Sequence, residues 1–190
     1  MRYIASCFLL GLFVFAGTRA GATVLVPIEF RELVTSAGVI VHGRVIDVHP
    51  GWVDGRRAVE TLVTLEAAEY LKGDPSSQIT FKVPGGELGR YRTVFIGAPE
   101  FARGDEVILF LKTNGSSMPF VIGLSQGVFR VITDPRSGRR VVTPPMVMAR
   151  AGVDAEKVVR GDPSRREVPV ETFRDTVRQV LAETAQGGAR

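Results

Sequence analysis

Cysteine is nearly absent from this 190-residue chain: Cys7 is the single one, alongside two histidines, His42 and His49, and one tryptophan, Trp52. A lone thiol excludes an intrachain disulfide framework and any zinc site built on paired thiolates. Two imidazoles cannot by themselves complete a zinc site, and His42 and His49 are seven residues apart, so on one regular strand they face opposite ways. Carboxylates such as Glu60, Glu66 and Glu69 show no D-x-D or EF-hand spacing. Neither a metal nor a cofactor is expected. An apolar run of about 20 residues, the length a membrane-spanning helix requires, is missing as well.

What is present begins at the N-terminus. Arg2 precedes an apolar run from Phe8 to Phe15, and Ala20-Gly21-Ala22 supplies the small residues that a signal peptidase accepts. Residues 1–22 therefore read as a signal peptide cut between Ala22 and Thr23. Cys7 lies before the apolar core and not after it, which argues against a lipid-bearing role. Cleavage removes Cys7, Arg2 and Arg19, leaving 22 Lys and Arg against 20 Asp and Glu, a net charge of +2. The expected protein is exported, periplasmic or extracellular, with no stable membrane span after cleavage, and monomeric. Without disulfides it must rest on its core, and about 168 residues suffice to bury close to 70% of the unfolded chain's surface as one domain.

The mature chain reads as mainly β. After Pro27, Phe30, Leu33, Val34 and Ala37 fall at helical spacing, ending at Gly38. Residues 39–48 alternate as a strand, with Gly43 at its middle permitting a sharp bend, and His49-Pro50-Gly51-Trp52 breaks the pattern. A second strand, from about Arg57 to Leu71, is long enough to curl and contact two neighbours. Ile79, Phe81 and Val83 mark a third. Gly85 to Pro99 is glycine-rich, with a short extended piece at Thr93–Ile96. Glu106–Leu111 is an apolar run suited to a strand buried on both faces, followed by strands at Phe120–Leu124 and Val128–Ile132. Asp134–Gly138 joins the last of these to Arg140-Val141-Val142 as a hairpin. These elements predict a small closed or nearly closed β-barrel over 23–143, with a β-sandwich as the alternative. Residues 144–168 read as an irregular linker with one or two helical turns between Asp154 and Arg160. Over 169–186, Val170, Phe173, Val177, Val180 and Leu181 line one face of an amphipathic helix.

Three motifs invite chemistry. Gly123-Leu124-Ser125-Gln126-Gly127 matches G-x-S-x-G, but a nucleophile elbow needs a helix after the serine and a histidine later in the chain. Here a strand follows and both histidines come earlier. The Gly85-Gly86-Glu87-Leu88-Gly89 loop lacks the Lys-Ser or Lys-Thr of a phosphate-binding loop. Arginine clusters at Arg136, Arg139 and Arg140, and at Arg160, Arg165 and Arg166, have no interleaved aromatics, which argues against nucleic acid.

The segment Val39-Ile40-Val41-His42-Gly43-Arg44-Val45, followed by Val63 to Gly73 with its closing Lys72-Gly73, resembles the first two strands of netrin-like modules and tissue inhibitors of metalloproteinases. Gly104-Asp105-Glu106 to Leu111 is similar to their fourth strand. The V-x-G-x-V, L-K-G-D and Q-G-x-F-R-V elements also look like those of a group of uncharacterised exported bacterial proteins. The resemblance implies an OB-like five-stranded barrel. It does not imply metalloproteinase inhibition, because the inhibitors act through an N-terminal cysteine and the mature chain begins Thr23-Val24-Leu25. The expected function is a non-enzymatic module that binds an exported protein or an envelope component, with no catalytic residue. Its contacts are expected at Trp52, Arg56, Arg57, Arg90, Tyr91 and Arg92, since Trp, Tyr and Arg dominate interface hot spots. A protease inhibitor or pro-domain-like protein and a serine hydrolase using Ser125 are the alternatives.

Overall fold

The structure, a computed structural model, describes residues 27–53, 55, 57–115, 117–145 and 167–187. The expected signal peptide with Ala20, Ala22 and Thr23, the turns between Asp154 and Arg160, and Arg56 lie outside the described residues. Within them the chain forms helix α1 (Phe30–Ser36), β1 (Val39–Val53), β2 (Ala58–Lys72), β3 (Gln78–Pro84), β4 (Gly86–Leu88) and β5 (Tyr91–Thr93). There follow β6 (Glu106–Lys112), β7 (Phe120–Val121), a 3-10 turn (Leu124–Gly127), β8 (Val128–Thr133), β9 (Arg140–Thr143), β10 (Val168–Pro169) and α2 (Val170–Gly187). The fold is mainly β, with one short helix near the start and one long helix at the end.

One eight-stranded sheet runs in the order β1-β2-β3-β7-β6-β8-β9-β10, and β1 pairs additionally with β6. That extra pairing bends the sheet back on itself into a partly closed ring. Closure between β3 and β7 is slight: a single parallel pair, Lys82 with Phe120, and the Lys82 amide donating to the Pro119 carbonyl at 2.9 Å. The second sheet is the two-stranded hairpin β4-β5.

The pattern of β6 explains why both faces of its run are apolar. Val107, Leu109 and Leu111 join Val41, Val45, Val63, Leu65, Phe81 and Val83 in one core cluster. Ile108 and Phe110, pointing the other way, join Phe30, Leu33, Val34, Phe129, Phe173, Val177 and Val180 in the second. The first cluster fills the ring; the second is the seam between the sheet and the two helices. Phe30 meets Phe110, Phe129 and Phe173 edge-on, with centroids 5.5–6.2 Å away.

Local rules account for most elements. β2 curls as its length predicts, pairing with β1 along its whole course and with β3 over Glu60–Glu66. Lys72, at its end, donates through Nζ to the Val34 and Thr35 carbonyls at 3.2 and 2.9 Å, which satisfies the last turn of α1 and places a cation at its negative pole. Burial lowers the Lys72 ammonium's pKa below the ordinary value. Gly43 sits at a register shift, and a Cβ there would come within 2.2 Å of the Glu66 carbonyl oxygen, so only glycine lets β1 and β2 lie this close.

Several expectations need correction. The break placed at His49–Trp52 does not exist: β1 continues to Val53, paired with β2 throughout. Beyond Arg44 the strand has no β6 partner, and proline is tolerated on such an edge. Strict alternation fails too, because a shift between Val45 and Asp47 turns Val48 toward the same cluster as Val41 and Val45. The strand expected over Phe120–Leu124 stops at Val121 and gives way to the 3-10 turn. The piece expected at Thr93–Ile96 is shifted back to β5, paired with the unforeseen β4. Val168, the end of the expected linker, and Pro169, where the helix was expected to begin, form a strand on the edge of β9.

Candidate functional site

β3 ends at Pro84, and the chain turns through Gly85 (φ +88) and Gly86 (φ +138), conformations that L side chains rarely adopt. It then makes the β4-β5 hairpin around Gly89 and descends through Val94, Phe95 and Ile96. The hairpin is stitched to the start of β2. The Gly85 amide donates to the Val59 carbonyl at 3.1 Å, Thr61 Oγ1 donates to the Gly85 carbonyl at 2.8 Å, and the Val59 amide donates to Thr93 Oγ1 at 2.9 Å. A Cβ on Gly86 would stand 2.3 Å from Thr61 Oγ1, so this flap can lie so close to β2 only with glycine there.

Between flap and sheet lies a cleft of about 410 Å³, lined by Val48, Val83, Phe95, Ala98 and Phe101 among others. Phe101 is held edge-on to Phe81 at 5.4 Å, and the Arg130 guanidinium, paired with Asp105 at 2.7 Å, lies 5.9 Å from its ring. Beside the cleft four apolar side chains stand in water: Tyr91 at 47% exposure, Val94 at 71%, Phe95 at 49% and Ile96 at 60%. Several large apolar groups left together in solvent are unusual on a protein surface.

The structure brings together most of the residues singled out in the sequence. Trp52, at the far end of β1, packs edge-on against Tyr91 with centroids 5.0 Å apart. Arg90 covers the other part of that ring at 5.1 Å and donates to the Tyr91 hydroxyl at 2.9 Å. Arg92 pairs with Glu87 at 3.2 Å across the hairpin and with Glu100 at 3.9 Å across the cleft mouth. Arg57 is exposed in the β1-β2 turn, its amide bonded to the Val53 carbonyl at 3.2 Å. The sequence reading missed Val94, Phe95 and Ile96. The run Tyr-Arg-Thr-Val-Phe-Ile in a glycine-rich loop was the available signal, because so apolar a stretch has no reason to sit in a purely solvated loop.

Ser125 lies in the 3-10 turn between β7 and β8, after Gly123 and Leu124 at φ +60 and +58, and its amide donates to the Gly97 carbonyl at 2.9 Å. The helix that an elbow needs is replaced by β8. The two histidines part company as well. His49 is exposed, whereas His42 is 2% exposed and bonded to Glu106 and Arg174. Among the described residues no group of three or more His, Cys, Asp or Glu is placed to hold a metal ion. Among them, too, no helix is long and apolar enough to cross a membrane.

Fold and site define a mainly β protein whose partly closed sheet carries a flap-covered cleft of mixed polar and apolar lining. Compared with known protein families, curated proteins and solved structures, the chain matches none.

Proposed function

We propose that the protein is an exported, non-enzymatic binding module that captures an apolar segment of another protein at the flap. The observation that carries this reading is the joining of the Trp52–Tyr91–Arg90 stack to the exposed stripe Val94–Ile96 beside one cleft. An aromatic anchor with two rotatable side-chain bonds gives large contact area at small entropic cost, and arginine stacked on it supplies a polar rim. Export rests on the composition of residues 1–22. The absence of catalysis is argued from chemistry: the serine motif lacks its elbow, and the buried imidazole is already engaged by a carboxylate and a guanidinium.

The test is site-specific photocrosslinking in the exported fraction of the source cells. A crosslinking residue in place of Val94 is expected to yield discrete adducts that excess wild-type protein competes away and a Trp52→Ala/Tyr91→Ala/Phe95→Ala protein does not. The same residue in place of Gly138, in the β8-β9 turn, is expected to yield none of them. Identical adducts from both positions, or equal competition by the triple variant, would overturn the reading.

A further inference from the structure

We propose that His42 makes the docking of α2 onto the sheet sensitive to pH, a protonated imidazole opening the seam between helix and strands. His42 is 2% exposed on β1, directly opposite Glu69 of β2 and close to Glu106 of β6. Its Nε2 lies 2.8 Å from Glu106 Oε1, and its Nδ1 lies 3.3 Å from Arg174 Nη2 on α2. A carboxylate only accepts and a guanidinium only donates. The partners therefore assign the neutral tautomer with the proton on Nε2, donated to Glu106, while Nδ1 accepts from the helix. A second proton would go onto Nδ1 and would remove the acceptor that Arg174 uses.

The charged groups around it come from every element of the seam. Arg44 on β1 approaches Glu106 at 3.7 Å, and Arg140 on β9 pairs with the same carboxylate while its Nη2 stands 3.5 Å from His42 Nε2. On α2, Arg174 bonds Glu69 at 2.6 Å and Glu171 at 2.9 Å, and Arg178 bonds Glu69 at 2.7 Å and Asp175 at 3.0 Å. A charged His42, itself buried, thus faces Arg174 and Arg140 at close range. Burial first, then Arg174 and Arg140, lower the imidazole pKa from 6.5 to about 4, against the opposing pull of Glu69 and Glu171. Lifting α2 takes Arg174 away and opens His42 to solvent, so the open state binds the proton that the docked state refuses. Arg140 stays beside the imidazole when α2 lifts, so linkage raises the opening constant by at most about 20-fold from pH 7 to pH 5.

Amide hydrogen exchange of the protein, corrected for intrinsic rates, tests this. For Phe173–Leu181 in α2 the opening constant is expected to exceed that of Val107–Leu111 in β6 and to rise between pH 7 and pH 5, by at most about 20-fold. In His42→Gln that rise is expected to vanish. Should that variant not fold, the His42 imidazole resonances of the wild-type protein decide: they are expected to stay neutral down to about pH 4 and to titrate higher in Arg174→Gln. An undiminished rise in His42→Gln, equal opening of α2 and β6, or a wild-type imidazole titrating near its ordinary 6.5 would each overturn the proposal.

Discussion

Phe173→Ala tests whether α2 is a wall of the core or an appendage. Phe173 is fully buried, 4.8 Å from Phe129, 5.5 Å from Phe30 and 6.5 Å from Phe110 by ring centroids. Truncating a buried phenylalanine costs about 3–5 kcal/mol, the spread reflecting how far the surroundings collapse into the space. Collapse is hindered here because the three neighbouring rings hang from three separately anchored elements, α1, β6 and β8. The expected loss is therefore about 4 kcal/mol. With a urea m-value of about 2 kcal/mol/M, the unfolding midpoint falls by about 2 M. Equilibrium unfolding followed by far-UV circular dichroism measures it, with Phe95→Ala as the partner experiment. Phe95 is half exposed at the cleft, and its removal is expected to change stability by no more than about 0.5 kcal/mol. A Phe173→Ala loss below about 1 kcal/mol, or one equal to that of Phe95→Ala, would refute the placement of α2 in the core.

Three further outcomes are expected. Gly43→Ala drives a methyl group to 2.2 Å from the Glu66 carbonyl and forces β1 from β2, at a cost of about 2–3 kcal/mol in the same urea assay. Gly86→Ala, at φ +138 and 2.3 Å from Thr61 Oγ1, is expected to detach the flap, shifting Trp52 emission while global stability falls by only about 1 kcal/mol. For His42 the folded pKa lies below the unfolded one, so between pH 6.5 and about 4 the unfolded chain binds the extra proton. Stability is full above that window and is lost as pH falls through it, by about 2 kcal/mol from pH 7 to pH 5 and about 3 kcal/mol in all. Urea unfolding at the two pH values, compared with His42→Gln, measures it, and a wild-type protein as stable at pH 5 as at pH 7 would contradict the sign.

The legible parts of the fold were those whose causes are local. The helical spacing of Phe30, Leu33 and Val34, the amphipathic period of α2 and the turn chemistry of Asp134–Gly138 all act within a few residues. Asp134 shows this directly, its carboxylate accepting from the Arg136 and Ser137 amides at 3.0 and 3.2 Å. Pro50 misled because a proline is a strand breaker only where its missing N–H would have met a partner, and that depends on β6 ending opposite Arg44. The flap was half legible. Trp52, Arg90, Tyr91 and Arg92 were singled out by residue type, but nothing in the chain couples Trp52 to Tyr91 except the fold that carries both.

By itself the sequence determined the strand-rich class, the two helices and the double-faced burial of β6. Each of these follows from periodicity or backbone sterics, which act over short stretches. Tertiary structure alone decided that the sheet closes partly through a β1-β6 pairing, that a cleft opens beneath residues 86–96, that glycine is required at Gly43 and Gly86, and that His42 meets Glu106 and Arg174. Those pairs lie 64 and 132 residues apart in the chain. No local preference specifies such a contact; it forms when two apolar clusters, sharing β6 as a common wall, fix the direction in which every other element faces.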